Sequence, residues 1–149
     1  MPGSMDVLIV EDEMLLAMDI EAMVEDSGHQ VAAEAASLQD VVALPDDVAP
    51  DLAFVDLHLA HGSNGLDVCR LIRQRWPATL IVFVTANVSK IPDDLAGGHG
   101  IIAKPFSHAG VVNAIRYLAE GVFDPPPSVP PPSSLIASAN LQRRWAAAA

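Results

Sequence analysis

The sequence predicts an α/β protein in which helices cover both faces of a doubly wound parallel sheet. Short apolar runs alternate along the chain with segments whose apolar residues recur at helical spacing. The runs are apolar throughout, which is typical of strands that are buried on both faces. Strands of this kind, separated by helices, favour a five-stranded parallel sheet of flavodoxin-like order 2-1-3-4-5.

The first half of the chain contains two predicted pairs of a strand and a helix. Residues 6–10 are the first apolar run. Residues 13–27 carry apolar side chains at helical spacing and end before Gly28, a residue that commonly terminates helices. Residues 31–35 are predicted as the second strand and residues 38–44 as a short second helix.

The second half contains three further predicted strands, at residues 52–56, 80–85 and 101–103. Residues 65–75 form a helix between the first two of these strands, and the proline that follows ends it. Ser107 is a favourable N-cap for a last helix that reaches about Glu120.

Composition divides the chain into four segments. Residues 1–4 resemble a remnant of an expression vector, so we expect the natural start at Met5. Residues 5–123 form the folded domain, and residues 124–132 are a proline-rich linker of the extended polyproline type. In the tail, residues 133–149, a leucine and a tryptophan lie one helical turn apart; the tail either docks as a short helix or is disordered.

The charge of the chain excludes several classes of partner. With 19 acidic and 8 basic residues the net charge is −11, which argues against binding to nucleic acids or anionic membranes. The single cysteine, Cys69, allows no internal disulfide and fits a reducing, cytoplasmic environment. We expect no membrane-spanning segment and no secretory signal.

Five polar residues follow or end four of the predicted strands: Glu11, Asp12, Asp56, Thr85 and Lys104. Ligand sites of open parallel sheets lie at the carboxyl ends of the strands, so these side chains are predicted to meet there. An acidic residue after a strand is often only a helix cap or a loop residue, but five complementary groups at one edge indicate a site.

These groups suit phosphoryl transfer to a carboxylate. Clustered carboxylates attract a hard divalent cation such as Mg²⁺, which prefers oxygen ligands. Asp56 is then the candidate nucleophile, while Thr85 and Lys104 stabilise the charge on the transferred oxygens.

The spaced set of motifs resembles the receiver domain of two-component response regulators across roughly residues 5–121. The matching segments are Val7-Leu8-Ile9-Val10-Glu11-Asp12-Glu13, Asp56-Leu57-His58-Leu59, Gly65 at a helix start, Val84-Thr85-Ala86 and Lys104-Pro105-Phe106. The resemblance implies that Asp56 is the phosphoacceptor, Thr85 the switch hydroxyl and Lys104 the phosphate-binding lysine. It also implies that Mg²⁺ is held by Asp12 and Asp56, by Glu11 through water and by the backbone carbonyl of His58, and that the bond before Pro105 is cis.

The chain departs from the family pattern at three places. Ile101 replaces the usual switch aromatic, and the segment between Thr85 and Lys104 is shorter than usual. That segment contains Pro92 and two adjacent glycines, so we expect its helix to be short or partly unwound. The loop after Asp56 lacks the usual proline. The segment Phe83-Val84-Thr85, together with the missing switch aromatic, is similar to an atypical alphaproteobacterial subgroup that works in stress signalling.

The resemblance implies a signalling domain, not an enzyme with its own turnover. Only 28 residues follow Gly121, too few for a helix-turn-helix domain, so we expect a stand-alone receiver. Its partners would be a histidine kinase or a histidine phosphotransfer protein, and a homodimer through the tail is left open. One alternative is an unphosphorylated pseudo-receiver that acts as a binding module. Another is a haloacid dehalogenase-like aspartyl phosphatase, but His58 stands where that family has its second aspartate.

The remaining histidines carry little signal. His58 and His61 have a spacing that could ligate a transition metal, but an exposed loop without cysteine favours surface residues. His29, His99 and His108 are expected on loops or at the surface, and Cys69 is expected in the core.

Overall fold

Five parallel strands form the centre of the computed structural model, which describes residues 3–148. They are β1 (Asp6–Val10), β2 (Gln30–Ala35), β3 (Leu52–Val55), β4 (Leu80–Thr85) and β5 (Gly100–Ala103). Their order β2-β1-β3-β4-β5 confirms the predicted topology. Met1 and Pro2, half of the expected vector remnant, and Ala149 lie outside the described residues.

Helices cover both faces of this sheet, as predicted. The α-helices are α1 (Met14–Asp26), α2 (Leu38–Ala43), α3 (Gly65–Arg75), α4 (His108–Phe123) and α5 (Ala139–Ala148). Four single 3₁₀ turns occupy Asp46–Val48, Ala60–Gly62, Val88–Lys90 and Leu95–Gly97. Among the described residues, no helix is long and apolar enough to cross a membrane.

Successive side chains of the central strands point to opposite faces of the sheet, which divides the core into two apolar clusters. In β1, Val7 and Ile9 pack with the buried faces of α1 and α4, whereas Leu8 and Val10 pack with α2 and α3. Cys69 lies fully buried in the second cluster, as expected. Because β1, β3 and β4 are covered on both sides, their apolar runs are continuous.

Side-chain caps explain where three helices begin. Ser37 accepts a hydrogen bond from the N–H of Asp40 at α2, and Asn64 accepts one from Leu66 at α3. Ser107 accepts from the N–H of Gly110, which confirms the predicted start of α4. This helix continues three residues beyond the predicted end at Glu120.

The sheet has a sixth strand that the sequence did not indicate. β6 (Ile136–Ala137) lies antiparallel to β5 in the register Gly100↔Ala137 and Ile101↔Ile136. The expected five-stranded sheet is therefore extended by one short strand from the tail. A strand of two residues carries no measurable periodicity, so its position follows from the open edge of β5.

The connection between β4 and β5 contains no α-helix, in line with the expected unwinding. Two 3₁₀ turns replace it, and Leu95, Ala96 and Gly97 have φ values of 52°, 52° and 83°. Non-glycine residues rarely adopt this left-handed conformation, so the connection depends on outside contacts. One of them is Arg73 of α3, whose guanidinium donates to the Ala96 carbonyl at 3.3 Å.

Candidate functional site

The five predicted site residues lie at the carboxyl ends of β1, β3, β4 and β5. Strand pairing continues one residue beyond β1, β3 and β5 and positions the residues that follow these strands. The N–H of Glu11 donates to the Ala35 carbonyl at 2.9 Å, and that of Asp56 donates to Val10 at 3.0 Å. The N–H of Lys104 donates to the Thr85 carbonyl at 2.9 Å. The backbone ladder of the sheet therefore positions this edge.

The Lys104 ammonium is the centre of the charged site. Its Nζ lies 2.8 Å from Glu11 Oε1, 3.1 Å from Asp56 Oδ2 and 3.9 Å from Glu13 Oε2. The bond between Lys104 and Pro105 is cis, as the resemblance implied. The first two carboxylates are mostly buried, so Lys104 neutralises charges that water reaches poorly.

Burial and hydrogen bonding have opposite effects on the pKa of Glu11, and also on the pKa of Lys104. Burial raises the pKa of Glu11 above its usual value, although the hydrogen bond from Lys104 opposes the rise. Burial would lower the pKa of Lys104, but its hydrogen bonds to Glu11 and Asp56 raise it above its usual value. Lys104 is therefore charged at neutral pH.

Hydrogen bonds hold the Asp56 carboxylate in place, and a small part of it remains exposed. It is 9% exposed, and its Oδ1 accepts a hydrogen bond from the N–H of Leu57 at 2.7 Å. Its Oδ2 faces Lys104. Both oxygens are thus oriented before any ligand binds, which is the arrangement that a nucleophilic carboxylate needs.

Three carboxylates at this edge can hold a divalent cation. One oxygen from each of Glu11, Asp12 and Asp56 lies within 4.8 Å of the others, and Asp12 is exposed. An all-oxygen set that is open on one side fits Mg²⁺, which keeps part of its water shell. His58 lies two residues after Asp56 with an exposed side chain, and the predicted role of its carbonyl stays a prediction.

Thr85 ends β4 beside this group but forms a local contact. It is fully buried, and its Oγ1 accepts a hydrogen bond from the N–H of Asn87 at 3.0 Å. Ile101 lies buried in the cluster on the α3 side. Thr85 thus links the site to the start of the β4–β5 connection. Position 101 carries an isoleucine and not an aromatic side chain.

The structure adds residues that the motifs did not assign to the site. Glu13 approaches Lys104, and its N–H donates to Glu11 Oε2 at 3.2 Å. Gly65 packs against the Asp56 backbone so closely that a Cβ would overlap the Asp56 carbonyl. Its position at a helix start was visible in the sequence, but this close contact was not.

His99 lies in a loop, as expected, but it is buried. It is only 6% exposed, and its Nδ1 accepts a hydrogen bond from the N–H of Ile81 at 2.9 Å. Burial, followed by the charges of Arg144 and Arg73, lowers its pKa to about 4. The neighbouring glycines suggested a loop, whereas the tail that helps to enclose it is distant in sequence.

Comparison with known proteins agrees with this geometry. A family model described as the response regulator receiver domain matches residues 7–116. The chain is 36% identical to the phyllosphere-induced regulator PhyR of Methylorubrum extorquens, over 71% of this chain and 40% of that protein. It is 30% identical to the transcriptional regulatory protein PdtaR of Mycobacterium tuberculosis, over 74% of this chain and 54% of that protein.

Solved structures give the same result. The solution structure of the PhyR receiver domain of Erythrobacter litoralis superposes with a TM-score of 0.67 at 29% identity, covering 85% of this chain and 98% of that one. PhyR of Brucella abortus superposes with a TM-score of 0.65 at 31% identity, covering 79% and 48%. The chain spans about half or less of the curated relatives named above. It belongs to the response regulator receiver domain family of two-component signalling.

Proposed function

We propose that this receiver domain accepts a phosphoryl group on Asp56 from a phosphohistidine donor, with Mg²⁺ bound beside it. One observation carries the proposal: the Asp56 carboxylate lies 3.1 Å from the Lys104 ammonium and within 4.8 Å of oxygens of Glu11 and Asp12. A nucleophile, a fixed cation and a set of metal ligands thus share one strand edge. These are the groups that an in-line displacement at phosphorus requires.

The chain's own residues account for most of the transfer. One Asp56 oxygen attacks phosphorus while the phosphorus–nitrogen bond to the donor imidazole breaks, and the imidazole leaves with the bonding electron pair and takes up a proton. The product is an acyl phosphate on Asp56. Lys104, which balances two carboxylates in the resting site, then holds a phosphoryl oxygen. Bound at Glu11, Asp12 and Asp56, Mg²⁺ would add positive charge beside the transferred oxygens.

The switch follows from the position of Thr85. A phosphoryl group on Asp56 would attract the Thr85 hydroxyl, which now accepts from the N–H of Asn87. We expect this to reorder the β4–β5 connection, residues 87–100, as a population shift between two states. Hydrogen exchange with and without beryllofluoride tests the switch, and unchanged protection of these residues would contradict it.

The partners are proposed from chemistry and family. The donor would be a histidine kinase or a histidine phosphotransfer protein of the cytoplasm, and the output a change of protein–protein contacts. Met14, Leu15 and Met18 are 76%, 78% and 57% exposed on one side of α1, next to the site. An apolar surface at this position suits a helix of the donor.

The first experiment is intact mass spectrometry after incubation with a small phosphodonor and Mg²⁺. We expect one added phosphoryl group in the wild type and none in Asp56→Asn or without Mg²⁺. A protein that binds Mg²⁺ but gains no mass, even from a kinase, would be a pseudo-receiver. Steady release of phosphate from small phosphate esters would instead favour the haloacid dehalogenase-like phosphatase, which the histidine at position 58 disfavours.

A further inference from the structure

The tail beyond the proline-rich linker makes an ordered set of contacts with the domain. After β6 pairs with β5, Ser138 donates through its N–H to the His99 carbonyl at 2.9 Å and through Oγ to the Gly98 carbonyl at 3.2 Å. Asn140 donates to the Gly97 carbonyl at 3.0 Å. The tail therefore satisfies three successive carbonyls at the end of the strained β4–β5 connection.

Apolar anchors fix the tail next to the sheet. Leu135, Leu141 and Trp145 are buried in the same cluster as α1 and α4. The Trp145 ring meets the Tyr117 ring edge to face, with 5.5 Å between centroids. Aromatic pairs in this geometry add to the stabilisation that burial alone provides.

Three glycines of the domain leave space for the tail. A Cβ on Gly100 would lie 2.9 Å from a methyl group of Leu135, and one on Gly110 would lie 3.1 Å from Ser134 Cβ. A Cβ on Gly121 would overlap the Trp145 ring. Glycine within a helix is unfavourable relative to alanine, so Gly121 of α4 is explained by close packing with the tail, whereas a Cβ on Gly110 would also meet the Ser107 hydroxyl at 2.9 Å.

The tail is nevertheless joined to the domain only through the proline-rich linker, residues 124–132. The linker is mostly exposed, so the tail can leave without breaking the order of the five parallel strands. All 19 acidic residues precede the tail, which carries two arginines, so charge favours the docked state. Departure would open the edge of β5 together with the apolar side of α4.

We propose that residues 133–148 are a displaceable intramolecular ligand that covers a docking surface formed by the edge of β5 and by α4. The partner that this surface fits is a polypeptide segment that adds an antiparallel strand to β5 and places a leucine and an aromatic ring against α4. Such a partner binds only when the tail has left. The proposal does not depend on phosphorylation of Asp56.

Hydrogen exchange of the wild-type chain tests whether the tail opens by itself. We expect the amides of residues 138–148 to exchange at least about tenfold faster than those of β3. Their exchange rates should depend little on low concentrations of urea, because a local opening exposes little surface. Equal rates with the same urea dependence would show that the tail leaves only on global unfolding, and would overturn the proposal.

Competition in trans tests the docking surface. A fluorescent peptide of residues 133–148 should bind the full-length Leu141→Ala/Trp145→Ala variant at least about tenfold more tightly than wild type, whose own tail occupies the surface. Adding Gly121→Leu to that variant should abolish binding, whereas Asn113→Leu, exposed on the same helix, should not.

Circular dichroism first establishes that each variant is folded. If a variant does not fold, the hydrogen-exchange experiment on the wild-type chain decides whether the tail is displaceable. Equal binding of the peptide to wild type and variant, or no binding to either, would contradict the proposal. A dimer whose tail exchange slows with protein concentration would place the tail on a second copy, and would overturn the intramolecular assignment.

Discussion

Asp12 carries a charge that the fold places beside two other carboxylates, so replacing it by asparagine tests the electrostatics of the site. One oxygen of Asp12 lies within 4.8 Å of oxygens of Glu11 and Asp56. The salt bridges of Lys104 go to Glu11, Glu13 and Asp56. Without a metal ion, Asp12 therefore adds repulsion to the folded state.

The expected gain in stability follows from Coulomb's law. Two unit charges at that separation repel by about 0.9 kcal/mol even at the dielectric constant of water, so two pairs amount to roughly 1.7 kcal/mol. Attraction of Asp12 to the amino terminus of α1 offsets about 0.5 kcal/mol. The Lys104 ammonium, which pairs with the same two carboxylates, also attracts Asp12 and offsets a further part. We therefore expect Asp12→Asn to raise the free energy of unfolding by less than about 1 kcal/mol in the absence of divalent ions.

Urea unfolding in EDTA and in Mg²⁺ measures both parts of this argument. Wild type should gain about 1.4 kcal/mol at a Mg²⁺ concentration ten times the Kd, and Asp12→Asn should lose most of that gain. Asp19→Asn, exposed in the middle of α1, is the matched control and should change neither value. A variant that is less stable in EDTA, or that keeps the full Mg²⁺ increment, would refute the reasoning.

Three further predictions concern charge and pH. Lys104→Met leaves two mostly buried carboxylates without their cation, so the free energy of unfolding should fall by about 3 kcal/mol in urea titrations without divalent ions. The pKa of His99, lowered to about 4 by burial, means that stability is complete above pH 6.5 and is lost as the pH falls towards 4, by about 3 kcal/mol. Urea titrations across this range should show a smaller loss for His99→Gln. Burial, with the neighbouring Glu21, raises the pKa of Glu34 to about 7, so its contribution is complete below pH 4.5 and is lost as the pH rises through 7. Because Glu34 is exposed, we expect Glu34→Gln to stabilise the protein at pH 8 by less than about 1 kcal/mol, and salt to reduce the gain.

The predictions for Lys104 and His99 each have a control that separates them from general destabilisation. Mg²⁺ should restore part of the stability of Lys104→Met, since the cation replaces the lost charge; no recovery would contradict this account. His108→Gln, exposed at the start of α4, should leave the loss between pH 6.5 and 4 largely unchanged. If His99→Gln and wild type lose stability in parallel, the buried imidazole does not cause the loss.

Local patterns in the sequence were sufficient for the parallel sheet and for most of the site. Continuous apolar runs predicted β1, β3 and β4 because strands covered on both faces need no polar side. Polar residues directly after these runs predicted the cluster around Asp56, since parallel strands bring their carboxyl ends to one edge. Side-chain caps and the positions of glycine and proline predicted the helix boundaries to within a few residues.

Contacts between distant segments decided the rest. Ile136–Ala137 form a strand because they pair with the open edge of β5. His99 is buried because the tail packs over it. Gly121 looks like a helix terminator in sequence, yet it lies within α4 because the Trp145 ring packs against it. The sequence by itself determined the five parallel strands and the side chains that meet at their carboxyl edge, since both follow from periodicity and strand polarity. Only the tertiary structure decided what covers that sheet, because docking of the tail depends on shape and on hydrogen bonds between residues far apart in the chain.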